Sequence, residues 1–381
     1  MLVNNKWLIV RYVIEMEISV CYTVLIEIRT VLLPLKRVLL KQKNWLAAKI
    51  KKEMRRRQRI NNRKRRAVAS HHSHKNSHSV SVGKHVLYVH APVVLSVFES
   101  PKDTLNFFKE TANAIKELKF KERLYFDLSK IETVTVDAIM YLIAFIKNTR
   151  KLKTLQIECA GNMPANEQAR TVFETCGFYQ YVSPQYNLRK VNKSDHINIT
   201  QGHEADPILA GQICDFVHAH SAYGRLETKS LFTMIMELMA NTKQHAYNDN
   251  CHMENNWYVF VEDNPAFLNF VFLDTGEGIP KTIYTKGLVE KIKSAFNSAD
   301  AFFIASALRG ELRSETGLCY RGKGLPEIYQ RAASSYIKDF SIISGYGRCS
   351  IEQDGSIKET SLRDALSGTM LCWKLSKRFG G

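Results

Sequence analysis

Glu237 and Asn241, in the run Glu237-Leu-Met-Ala-Asn241, stand four residues apart and share one face of any helix that carries them. A carboxylate so placed orients a water. An amide oxygen beside it is a hard donor of the kind Mg²⁺ takes while keeping several waters of its own. Further along, Asp274-Thr-Gly276-Glu-Gly278-Ile-Pro280 offers a carboxylate able to accept from an exocyclic amine. Its two glycines let backbone pass close to a flat base. In Arg321-Gly322-Lys-Gly324-Leu325, Gly322 and Gly324 precede a helical run and suit a backbone cradle for phosphates at a helix N-terminus. Ser367-Gly368-Thr369 closes the series. Turn glycines and a solvated helix would explain each segment alone. In this order they outline one site for a purine, its phosphates and a metal.

The set resembles the GHKL superfamily, which includes DNA gyrase, the ninety-kilodalton heat-shock chaperone, sensor histidine kinases and mismatch-repair ATPases of the MutL type. The likeness covers about residues 200–381. It implies a Bergerat-type α/β sandwich, a mixed sheet layered with helices, that binds ATP and Mg²⁺. On that resemblance Asn241 holds Mg²⁺, Asp274 reads the adenine amine, Thr369 supports Asp274, and Glu237 is the catalytic general base. Gly276, Gly278, Ile279, Gly322, Lys323, Gly324 and Leu325 become nucleotide contacts. So does His245, followed by Ala246 as in the Asn-x-x-x-His-Ala of many kinases. One departure concerns phosphate binding. The kinase-type Lys three residues after the asparagine is Gln244 here, with Lys243 displaced by one, and Lys323 in the glycine loop is the candidate substitute.

The elements that must position these residues follow from pattern. Helices are expected over Asp206 to His218 and Leu226 to Ala246, the second bearing Glu237 and Asn241. Asn256 to Val261 and Phe267 to Leu273 read as strands joined by a turn at Asp263-Asn-Pro265, delivering Asp274 to a strand end. Lys281 to Thr316 would be a lid with a helix near Ser298 to Arg309, and another helix starts at Gly324. Three strands, Phe340 to Ile343, Cys349 to Glu352 and Thr369 to Trp373, complete the sheet, with a hairpin turn at Gln353-Asp-Gly355.

Residues 84–185 form a smaller α/β domain by the same reasoning, with strands at Val86 to His90, Leu95 to Phe98, Arg123 to Asp127 and Leu155 to Cys159. Helices are expected at Pro101 to Leu118, Asp137 to Lys147 and Asn166 to Thr175. The stretch from Asp127 to Leu142 resembles the centre of a STAS domain, the fold of anti-sigma-factor antagonists. The phosphorylatable serine of that family falls at Asp137. An aspartate there either imitates the phosphorylated state or simply caps the helix, the reading we favour.

At 381 residues the chain has room for two or three domains, and 45% hydrophobic with 24% charged residues are the proportions of ordinary globular protein. Eight cysteines without a Cys-x-x-Cys pair argue against a disulfide framework and a thiolate zinc site, and fit a cytoplasmic location. The net charge of +17 is concentrated. From Lys41 to Arg66 thirteen Lys and Arg face a single Glu, a net of +12, and residues 1–40 add +2, which leaves +3 for the remaining 315. The basic block could grip nucleic-acid phosphates or an anionic surface, or be a solvated tail. The four histidines that follow it in residues 70–79 read as linker. Residues 1–83 thus form a basic, partly hydrophobic segment. Its longest uncharged run, Ile18 to Ile26, is too short to span a membrane. An accessory segment, or translation from a start upstream of Met54, competes with a genuine domain.

Three outputs fit these features: an ATP-driven switch or slow ATPase coupled to the STAS-like domain in bacterial signalling, a serine/threonine kinase of the anti-sigma-factor type, and a nucleic-acid-associated ATPase. The first is favoured. A protein partner through the STAS-like domain and a homodimer are left open.

Overall fold

The computed structural model describes residues 81–83, 86–118, 122–150, 157–182, 195–244, 256–284, 299–311, 324–333 and 337–377. His245, Gly322 and Lys323 lie outside them, as do the basic block and the histidine-rich stretch. The chain divides into two units, Met1–Ser77 and His78–Gly381, and every described residue belongs to the second. Its architecture is mixed α/β. Among the described residues no helix is long and apolar enough to cross a membrane.

An N-terminal layer holds the strands β1 (Ser81–Gly83), β2 (Val86–His90), β4 (Arg123–Asp127) and β6 (Glu158–Gly161) in the order β1-β2-β4-β6. β1 is antiparallel to β2, and the other pairings are parallel. β3 (Val94–Leu95) and β5 (Thr133–Val134) form a separate short parallel pair. Alternation places Leu87, Val89, Leu124 and Phe126 inward. Helix α1 (Pro101–Ile115) opens on a proline, whose missing N–H costs nothing in a first turn, and buries Leu105, Phe108 and Ile115. Helix α2 (Val136–Arg150) is buried nearly all round, from Asp137 to Ile146. α3 (Glu167–Thr175) is capped by the Asn166 side chain, which accepts from Ala169 N at 3.0 Å, and α4 (Phe178–Val182) follows.

The C-terminal part contains β7 (His196–Gly202), α5 (Pro207–His220), α6 (Arg225–Gln244), β8 (Trp257–Asp263), β9 (Phe267–Asp274), α7 (Ile279–Tyr284), α8 (Ala299–Arg309), α9 (Gly324–Ala332), β10 (Ile337–Ile351) and β11 (Ile357–Ser376). Its sheet has the order β10-β11-β9-β8-β7. One face, with Trp257, Val259, Phe270, Phe272, Leu371 and Trp373, packs beneath α5, α6, α8 and α9. The other, with Tyr258, Phe260, Leu273, Ile343 and Met370, shares one apolar cluster with α1, α2 and α3. Helix α2 therefore lies between two sheets, which is why it has no solvent face.

Four expectations are corrected. The C-terminal sheet is not mixed: all its pairings are antiparallel, because β8–β9 and β10–β11 are hairpins and two successive helices return the chain between β7 and β8. The strands expected at Phe340 to Ile343 and Cys349 to Glu352 are one strand, β10, whose glycines sit at register shifts instead of breaks. Ser96 to Phe98 is a turn, since the Ser96 N–H donates to Thr104 Oγ1 and the Val97 N–H to Asp137 Oδ1, leaving no ladder bonds. Asp137 lies one residue inside α2 and is 6% exposed, not a surface cap. Burial lifts its carboxyl above the ordinary range, opposed by bonds from the Thr135 hydroxyl and Val97 N–H. β7 and β1 were not foreseen at all.

Candidate functional site

The C-terminal end of α6 meets the C-terminal end of β9. Along α6 the positions Leu231, Met234, Ile235, Leu238, Met239 and Thr242 are buried, so the helix has a defined inner side. Glu237 and Asn241, one turn apart, are half-buried at its margin. Thr242, 1% exposed, donates its hydroxyl back along the helix to Leu238 O at 3.4 Å, and its side chain also acts to lower the pKa of Asp274.

Asp274 is flanked in register by Trp257 of β8 and Thr369 of β11, so the three side chains share the helix-covered face. Its Oδ1 accepts from Gly276 N at 2.9 Å, and burial pushes its pKa from 3.8 to about 6 against the pull of that bond and of the nearby Thr242 side chain. The turn that follows is pinned twice. Thr275 and Asn256 exchange bonds at 2.9 and 3.0 Å. Ile279 N donates to Ser344 Oγ at 3.0 Å. The Ser344 hydroxyl also reaches Gly368 O at 2.8 Å and Thr369 Oγ1 at 3.0 Å. Thr369 thus braces Asp274 through the backbone ladder, while its hydroxyl serves Ser344.

Two glycines at this corner have no substitute. Gly278 has φ +85, and a Cβ there would lie 2.7 Å from Ser344 Oγ. Gly368 has φ +98, and a Cβ would lie 2.1 Å from the carbonyl oxygen of Asp274. Gly276, by contrast, leaves an ordinary φ and a Cβ position 3.2 Å from the Asp274 carboxylate.

Gly324 starts α9, and Leu325 packs into the core beneath it. From α9, Glu327 and Arg331 act on Glu237: burial raises its carboxyl pKa, Glu327 raises it further, and Arg331 opposes both. Arg331 also donates to Ser230 Oγ on α6, two turns before Glu237. Asp274, Gly276, Gly278, Ile279 and Thr369 meet at the end of β9, while Glu237 and Asn241 lie on α6, and Gly324 and Leu325 open α9. Thr242, Ser344, Glu327 and Arg331 were missed. Thr242 had a signal, its place beside Asn241 on the inner side of an amphipathic helix, and Glu327 with Arg331 had i, i+4 spacing; Ser344 had none.

No family model matches the chain, and no curated protein matches it at a significant level.

An amide oxygen is a kind of donor that a small hard cation accepts. Mg²⁺ uses one or two protein oxygens and takes the rest from phosphate and water, and the Asn241 amide supplies such an oxygen. Among the described residues no group of three or more His, Cys, Asp or Glu could hold a metal, so a dedicated all-protein cage is not what this site resembles. The cavity bounded by Val217, Tyr223, Leu231, Met234, Ile337 and Leu375 encloses about 10 Å³ around the first half of α6, room for a single water.

Proposed function

We propose that this chain is a Mg-ATP-binding switch or slow ATPase of the GHKL type, with a STAS-like layer covering the back of its nucleotide-binding sheet. The observation that supports the reading is the corner at the end of β9, where the partly buried Asp274 carboxylate accepts from Gly276 N, stands in register with Thr369 and has Gly368 pressed against its carbonyl. In that role Asp274 accepts from the adenine amine, Gly276 and Gly278 let the base approach the backbone, and Ser344 with Thr369 hold the corner rigid. Mg²⁺ on the Asn241 oxygen would neutralise phosphate charge. Glu237, with its raised pKa, orients and deprotonates the attacking water.

One feature favours a switch over phosphoryl transfer within the chain. Asp137, where the STAS-like serine would stand, is buried beneath the opposite face of the sheet and close to Cys372. Asp274 and Thr369 face the other way. A kinase reading then requires its acceptor to come from another molecule.

Titration of the purified chain with a fluorescent ATP analogue and Mg²⁺, followed by phosphate-release and protein-labelling assays, tests this. Asn241→Ala is expected to weaken Mg-nucleotide binding at least ~100-fold, and Glu237→Ala to bind normally and lose ~100-fold or more in turnover. Wild-type affinity in Asn241→Ala would remove the metal assignment. Labelled protein without free phosphate would replace the ATPase with the kinase.

A further inference from the structure

Strand β11 changes partners at the candidate site, and the two residues at that change belong to neither ladder. It pairs with β10 as far as Gly345↔Leu366 and resumes at Ser344↔Thr369, while its pairing with β9 begins only at Thr369↔Asp274. Ser367 and Gly368 form the bulge between. The Ser367 N–H finds its acceptor outside the sheet altogether, in the hydroxyl of Tyr141, 3.1 Å away and 226 residues distant in sequence. Tyr141 is 3% exposed, lies one turn after Asp137 on α2, and is held edge-on by Phe108 with ring centroids 4.7 Å apart. A group of the N-terminal layer thus completes the backbone of the Gly-Thr corner.

That corner has little slack. Gly368 is pressed so close to the Asp274 carbonyl that no Cβ fits between them, and its own carbonyl accepts from Ser344, which in turn accepts from Ile279 N. Thr369, the next residue, is the register partner of Asp274. Close-packed contacts of this kind pass on a displacement instead of absorbing it. Movement of Ser367 must shift Gly368, and with it the strand end that aims the Asp274 carboxylate. Resting on the nucleotide reading above, we propose that Tyr141 is a positioning residue for Asp274, through which the N-terminal layer sets how well the site tells adenine from guanine.

The test uses the full-length chain and fluorescent ATP and GTP analogues, with thermal melts run in parallel. Tyr141→Phe keeps the ring and removes only the bonded oxygen. Phe173→Leu weakens the same layer at α3, away from Tyr141, and reports plain loss of stability. The preference for ATP over GTP is expected to fall about three- to ten-fold in Tyr141→Phe, the size of one hydrogen bond, and to stay at the wild-type value in Phe173→Leu. An unchanged preference in Tyr141→Phe, or an equal fall in both variants, overturns the proposal while leaving nucleotide binding intact. A wild-type chain that binds neither analogue brings down the reading beneath it, and this inference with it.

Discussion

Asp274 is in tension between folding and function. Its folded-state pKa of about 6 lies above the ordinary 3.8, so the protonated form is the one folding favours. Its contribution to stability is therefore full below about pH 4 and is lost as pH rises through about 6. Asp274→Asn should raise the melting stability of the nucleotide-free chain at pH 7.5 by ~1–2 kcal/mol, leave it unchanged near pH 4, and weaken ATP-analogue binding at least tenfold. Equal stabilisation at both pH values would show that ionisation is not the cause. Glu237 gives a second titration. In the proposed role of base it would work ionised, so turnover should rise with pH through its raised pKa; Glu327→Gln relieves part of the repulsion and should move that acid limb to lower pH, and Arg331→Gln to higher pH. A pH–rate profile unmoved in both would detach α9 from the chemistry. The segments around Asn241 and Asp274 stand out in the sequence because each is a short local pattern. Ser344 and Tyr141 do not, since a lone hydroxyl gains its role only from contacts across distant parts of the chain.

Among the elements, the helices were easiest to read. Asp206 accepts from Ile208 N and Leu209 N at 3.0 Å as the cap ahead of Pro207, and the apolar period of α6 follows from the letters. The long hairpin was harder. Gly345 and Gly347 look like strand breaks, yet each is small for a reason: a Cβ at Gly347 would lie 2.5 Å from Ala301 N of α8, and one at Gly345 2.4 Å from Asp300 Oδ2. Asp300 also accepts from Tyr346 N at 2.7 Å, so the first turn of α8 is tied to β10 at its bulges. Such close approaches are tertiary and leave no periodic trace. Gly368 belongs to the same class, and Gly368→Ala should cost ~3 kcal/mol or more in urea unfolding, because strained φ and a backbone collision add. A loss below ~1 kcal/mol would mean that the corner relaxes more easily than its packing implies.

The whole unit is held together by what α2 touches. Its sequence announced a core helix through Ile139, Leu142, Ile143 and Ile146, and Met140, Ala144 and Phe145 complete its burial. What it could not announce was the identity of the second cover, which comes from residues as distant as Met370. Polar ties add direction: Lys109 pairs with the buried Asp364, and Arg348 donates to Phe98 O at 2.7 Å. A fragment of residues 195–377 should therefore expose the face carrying Tyr258, Phe260, Leu273 and Met370, and self-associate in light scattering, with co-expressed residues 81–182 restoring a single species. A monodisperse fragment as stable as the full chain would show that the cover is dispensable. The same arrangement has a cost during translation. At about 5–20 residues per second, α2 leaves the ribosome roughly 10–45 s before the strand containing Met370 exists, and for that interval a greasy surface built for the interior has no second cover. Slowing elongation between residues 150 and 370 would lengthen that exposure.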